Sequence, residues 1–253
     1  MCVPRDAPGH DRLFKVRPVI QKLSDAFIEN YAPCQHIAVD ESMVRFKGRS
    51  TLKQYMPMKP IKRGFKIWCA SCACCGYLLT FQIYSGKESQ HERGLAHRVV
   101  TDLVVTHFAN KNHIVYMDNF FTSLPLFDEL LQHGIMACGT YRTNCAGLPS
   151  DLTAKDTVKQ LARGGVCMRQ KGNTTALVWK DKKPVYVLSN AHQPTTETVQ
   201  RKNPDGSKIQ VSCPNAVAAY NRHMGGVDLA ITVKTGSPND GGCIYFFSYL
   251  TLL

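Results

Sequence analysis

Residues 113–126 read HIVYMDNFFTSLPL. Ile114, Val115, Tyr116 and Met117 lead into Asp118 and Asn119, then two phenylalanines, Thr122 and Ser123. An apolar run of strand length that breaks off at an acid, with the helical pattern SLPLFDELLQHG following at once, is what a buried strand in a helix-covered sheet looks like. The acid at the junction has two readings. Asp118 or Asn119 could accept a backbone N–H from the first turn of the next helix, or Asp118 could be a metal ligand at a strand end. Taken alone, the stretch favours the cap, because Asp and Asn are common at helix starts.

Working outward, residues 12–31 show apolar residues at helical spacing, and Pro18 is expected to divide them into two short helices. HIAVDESMVRF reads as a strand that Asp40 ends. GFKIWCASCACCGYLLTFQIYSG reads as two strands around a tight turn near Cys74–Gly76. GLAHRVVTDLVVTHF has helical spacing, and SLPLFDELLQHG ends at Gly134, a C′ position. IMACGTYR is a further strand. Strand, strand, strand, helix, strand, helix, strand implies an α/β fold: a mixed sheet flanked by helices. From Asn144 to about Pro214, short strands alternate with polar turns, including the Asp-Gly hairpin candidate RKNPDGSK. PNAVAAYNRHMGGVDLA then reads as a helix whose Gly225–Gly226 pair marks a kink or a close approach.

The chain has 253 residues, 44% of them hydrophobic, enough to bury a sizeable core. It carries 31 Lys and Arg against 19 acids, a formal net charge of +12. That surplus favours a polyanionic partner. It is concentrated between residues 45 and 66, where Arg45, Lys47, Arg49, Lys53, Lys59, Lys62, Arg63 and Lys66 occur without one acid and with Phe46, Tyr55 and Phe65 interleaved. A solvated loop does not explain that imbalance, whereas a phosphate-binding surface does. No apolar run reaches the ~20 residues that span a bilayer, and MCVPRDAPGHDR has no apolar signal core. With no such signal, the 11 cysteines read as thiols in a reducing compartment. Cys69-x-x-Cys72 has ligand spacing, but a tetrahedral zinc site needs four converging ligands, and strand residues alternate faces. Cys69, Cys72, Cys74 and Cys75 are therefore read as strand and turn residues, and no zinc is expected. His91, His97 and His223 are assigned no role. There is no Gly-rich nucleotide loop and no hydrolase-type Ser/His/Asp order, so no small-molecule substrate is indicated.

Asp40, Asp118 and Asp228 lie far apart in sequence and can meet only through folding. Three carboxylates with open positions suit Mg²⁺, which prefers oxygen ligands and keeps several waters. Spacing alone leaves the alternative, two turn acids and one surface acid, open.

DESMVRFKGR (40–49) with YMPMKPIKRGFKIW (55–68), MDNFFTS (117–123) and YNRHMGGVD (220–228) resemble, in order, the three catalytic blocks of piggyBac-type transposases. The resemblance covers roughly residues 12–230. It implies an RNase H-like core with a β-strand insertion before the third acid. It also implies a DDD triad in which Asp40, Asp118 and Asp228 hold two Mg²⁺ ions. Such enzymes cleave DNA and transfer strands at TTAA targets through hairpin ends. DNA is then the partner, a homodimer the candidate assembly and the nucleus the location. The implied organisation is a remnant of an N-terminal helical DNA-binding region (1–34), the first part of the core (35–145), a β-rich insertion (146–214), a helix carrying the third acid (215–230) and a divergent tail (231–253). The family's third block continues to a further aspartate where this sequence has Ile231, and the tail resembles nothing in the family. Its apolar end CIYFFSYLTLL is expected to be exposed. The resemblance thus implies a core that is not competent alone. The runner-up is a domesticated, catalytically silent DNA- or chromatin-binding protein.

Overall fold

A computed structural model describes residues 11–86 and 94–232. His91 and the apolar end CIYFFSYLTLL lie outside the described residues. In chain order the elements are α1 (Arg17–Glu29), β1 (His36–Arg45), β2 (Gln54–Tyr55), β3 (Arg63–Cys72), β4 (Leu78–Ile83), α2 (Leu95–Phe108), β5 (Ile114–Met117), α3 (Leu124–Gln132) and β6 (Met136–Thr140). A 3-10 turn (Ser150–Leu152) and α4 (Lys155–Gln160) precede β7 (Val166–Lys171), β8 (Thr174–Lys180), β9 (Pro184–Ser189), β10 (Thr196–Lys202) and β11 (Lys208–Pro214). Two short helices follow, α5 (Asn215–His223) and α6 (Gly226–Thr232).

A nine-stranded sheet runs in the order β2-β3-β1-β5-β6-β9-β8-β7, with β4 also paired to β3. β1, β5 and β6 are parallel, and β3 and β4 extend the sheet antiparallel on one side. Central β1 is buried on both faces along its apolar runs, Ile37–Val39 and Met43–Val44. Ile37 and Val39 pack with Val99, Leu103, Phe127 and Leu130 of α2 and α3. Ala38 and Val44 face the other way, with Ile20 of α1 and Val227 of α6. Burying each large apolar side chain of this kind contributes about 1.5–3 kcal/mol. The β-rich segment is joined to the core: β9 pairs antiparallel with β6, and β8 and β7 follow it outward. Only the β10–β11 hairpin forms a sheet of its own, turned at Gly206. It packs with α5 over Tyr116 and Cys138.

Three local expectations are corrected. Pro18 does not divide residues 12–31, because it sits in the first turn of one helix, where its missing N–H costs nothing. Asp40 does not end its strand. It lies in the middle of β1, whose pairing with β3 runs on to Arg45 opposite Gly64. The segment read as one helix is two, broken at Gly225–Gly226, while the close approach expected there is present at Gly226, where a Cβ would lie 3.0 Å from Ala73 Cα.

Candidate active site

Asp40 and Asp118 are brought together by strand register. β1 and β5 are parallel with Val39 opposite Met117, so the next residue on each chain is one of the acids. Asp40 is half-buried and accepts the backbone N–H of Glu41 at 2.7 Å. Asp118 accepts the N–H of Phe120 at 2.9 Å through Oδ1, while its carbonyl accepts the Thr122 hydroxyl at 2.9 Å. The carboxylate thus caps a turn, and it does not cap the helix. Ser123 occupies the N-cap of α3, and Asn119 instead accepts Arg142 Nε at 3.0 Å. Asp228 stands on the exposed side of the first turn of α6, whose opposite side buries Val227 and Ala230.

Burial pushes the Asp40 carboxyl up to about 6; the Glu41 N–H and Lys59 oppose this, and Asp118 and Asp228 add to it. Burial also pushes the Tyr220 hydroxyl of α5 up to about 12, with Asp118 and Asp40 adding to the shift. That hydroxyl therefore borders the acidic centre. The donor set consists of carboxylate oxygens, which fits Mg²⁺. The three do not close into one tight cluster with all ligand atoms within 4.8 Å, as a group of cysteines does among the described residues.

The basic stretch divides into two groups. Lys59 and Lys66 turn inward and pair with Glu41, at 3.5 and 2.6 Å. Lys66 is also seated over the rings of Trp68 and Phe120, at 5.6 and 5.3 Å. The acid that pairs with two of the stretch's cations lies just upstream, next to Asp40. Lys53 closes its own loop onto the Gly48 carbonyl at 2.6 Å. Arg45, Lys47, Arg49, Lys62 and Arg63 are exposed, with no ion pair among the described residues. Glu41, Tyr220 and Arg142 thus join the site although their sequence positions did not single them out. The Asp-Glu dipeptide was a usable signal for the first, but nothing in the spacing marked the other two. His97, given no role, bonds Glu129 at 2.8 Å and ties α2 to α3. His223 stacks on His36 at 3.8 Å. Cys69 is buried opposite Asp40 in the β1–β3 register, while Cys72, Cys74 and Cys75 gather at the hairpin turn with Cys34.

A family model described as Transposase IS4 matches residues 3–234. The human PiggyBac transposable element-derived protein 3 is 34% identical over 233 residues, which is 87% of this chain and 38% of that protein. The human PiggyBac transposable element-derived protein 5 is 27% identical over 226 residues, 84% of this chain and 42% of that protein. The cryo-EM structure of piggyBac transposase in a synaptic complex with hairpin DNA superposes with a TM-score of 0.74 at 28% identity, over 88% of this chain and 45% of that one. This chain spans less than half the length of these relatives.

Proposed function

Because the chain belongs to the piggyBac-type transposase family and has its RNase H-like fold, we propose that it is the catalytic core of DNA transposition, with Asp40, Asp118 and Asp228 as the ligands of two Mg²⁺ ions. When bound, these ions would activate a water or a 3′-hydroxyl and neutralise the leaving oxygen of a phosphodiester. The chain's own residues prepare the centre. Register sets Asp40 beside Asp118, and α6 brings Asp228 over the sheet. The Glu41–Lys59–Lys66 network holds the backbone after Asp40. The exposed cations Arg45, Lys47, Arg49, Lys62 and Arg63 carry the DNA backbone past the acids, as phosphate contacts do. The partner is DNA, the assembly a homodimer and the location the nucleus.

The observation that supports this most is the β1–β5 register, which sets Asp40 beside Asp118, together with the Asp40 carboxyl being pushed up by burial first and then by Asp118 and Asp228. A cation among these carboxylates would relieve that repulsion. A second reading, a catalytically silent DNA-binding protein, is favoured by the exposure of Asp228. Joining residues 1–230 to the flanking segments of a piggyBac-type relative separates the two. The first reading expects Mg²⁺-dependent nicking of hairpin-ended DNA that Asp118→Asn abolishes. DNA binding with no nicking at any Mg²⁺ concentration supports the second.

A further inference from the structure

At the other end of the β1–β3 pair, four cysteines gather that the acidic centre does not use. Cys34 precedes β1, while Cys72, Cys74 and Cys75 form the turn between β3 and β4. Cys34 Sγ lies 3.4 Å from Cys72 Sγ and 2.6 Å from Cys74 Sγ. Among the described residues these are the one group of three or more potential ligands with all ligand atoms within 4.8 Å. Cys75 belongs to the same corner, since the Tyr31 hydroxyl sits 2.9 Å from its sulfur and 3.6 Å from that of Cys72.

The turn is built around the Cys72 sulfur. Burial pushes its thiol up, yet the backbone N–H groups of Cys34, Cys74 and Cys75 and the Tyr31 hydroxyl outweigh burial and bring it to about 6. Burial and the Cys74 thiol push Cys34 up to about 12. Gly76 closes the turn at φ +75, a conformation L side chains rarely adopt.

The geometry points to a structural site for a zinc-class divalent cation, held by the thiolates of Cys34, Cys72 and Cys74 with Cys75 as the fourth ligand. Thiolate ligands select zinc among the divalent ions that carbonyl and carboxylate sites would take. Zn–S bonds of about 2.3 Å in a tetrahedron hold sulfurs about 3.8 Å apart. The Cys34–Cys72 separation is already close to that. Cys74 and Cys75 are exposed and reach it by turning about their side-chain bonds. The site also has a structural consequence. A Cβ at Gly76 would lie 2.8 Å from the Ala230 backbone nitrogen, and one at Gly226 would lie 3.2 Å from the Cys72 carbonyl and 3.0 Å from Ala73 Cα. The cysteine turn and α6 are thus in backbone contact. A cation here braces the helix that carries Asp228.

The test uses the intact 253-residue chain, purified with reductant, stripped with chelator and titrated with Co²⁺ alone. Thiolate-to-cobalt charge transfer and tetrahedral d–d bands, saturating at one ion per chain and bleached by Zn²⁺, are expected. Cys34→Ser and Cys74→Ser should each weaken Co²⁺ binding at least tenfold, with Cys145→Ser as the unchanged control. Zn²⁺ should slow amide exchange in residues 226–232. Absence of charge-transfer bands from the folded parent chain overturns the site. So does a mass short of two hydrogens mapping to a Cys34–Cys74 disulfide that persists in reductant.

Discussion

The stretch of the β1–β3 pair between Asp40 and Cys72 carries a different chemistry at each end. Half-buried Asp40 with Asp118 and Asp228 makes an oxygen-donor centre open to solvent and bordered by exposed cations. Cys34, Cys72, Cys74 and Cys75 make a sulfur-donor corner within a tight turn. Hard and soft ligand sets sort different cations, so the two ends need not compete. α6 belongs to both. Asp228 faces the first, and the backbone at Gly226 and Ala230 rests on the second. On the proposed readings, chemistry and bracing are divided between the two ends of this stretch and joined by one seven-residue helix.

The largest effect should come from severing that joint. In Gly226→Val, the new Cβ meets Ala38 Cβ at 3.0 Å as well as the cysteine turn, and neither can give way without moving β1 or β3. Overpacking of this kind costs about 1–3 kcal/mol. Melting temperature should fall, and metal binding should weaken at both ends. Weakening at only one end would break the claim that α6 couples them.

Next in size is the salt dependence of DNA binding. Replacing the exposed Lys62 and Arg63 by alanine should lower the log–log salt slope by about 0.9 for every phosphate that these side chains neutralise. Lys66→Ala should leave the slope nearly unchanged, since Lys66 is committed to Glu41 and two rings. A Lys66 effect as large as that of Lys62 would mean that the inward pair opens on DNA.

The two ends also differ in how far the sequence revealed them. The acidic end lies in three long blocks whose order and spacing carry a family resemblance, and the strand–acid–helix pattern at 113–126 already implied a helix-covered sheet. What was misjudged there was local. Asp40 was read as a strand end, because the apolar residues after it, Met43 and Val44, resume only after two polar positions. The thiol end was illegible. Cys34 is 38 residues before Cys72, and only the antiparallel pairing of β1 with β3 brings the two together. The Cys69-x-x-Cys72 spacing that drew notice is strand spacing, and it places Cys69 on the opposite face. The junction of β9 with β6 was hidden for the same reason, because nothing local marks which edge an inserted strand will join.

A pH effect of intermediate size should come from the start of β1, beside the thiol end, where His36 and His223 stack and Tyr116 bridges His36 and His192 at 3.1 and 3.2 Å. Burial, then His36, Arg222 and His192, lower His223 to about 4, and burial with Arg222 lowers His36. Burial with His36 and Arg222 lowers His192. The folded protein then binds fewer protons than the unfolded chain, whose histidines titrate near about 6.5. Stability is fully present above that pH and declines as pH falls toward 4. Asp40, raised to about 6, contributes with the opposite sign over the same window. His223→Gln should therefore flatten the acid-side fall in melting temperature. An unchanged pH profile in the folded variant would remove the cluster from the account.

The smallest effect isolates the acidic end by itself. Asp40→Asn removes a half-buried charge that burial and two other acids disfavour, so the metal-free protein should melt a few degrees higher, the shift expected for about 1 kcal/mol or less. A lower melting temperature would show that the carboxylate is held by interactions worth more than that repulsion.

The most direct test of the central claim is Mn²⁺ binding followed by electron paramagnetic resonance in the parent chain and in Asp118→Asn. Asparagine still accepts the Phe120 N–H that Asp118 now caps, so the fold is kept and only the charge is removed. The parent should bind Mn²⁺ at the three acids, and Asp118→Asn should bind it at least about tenfold more weakly. Equal affinity in the two folded proteins would contradict the assignment and leave Asp118 as the cap of a turn.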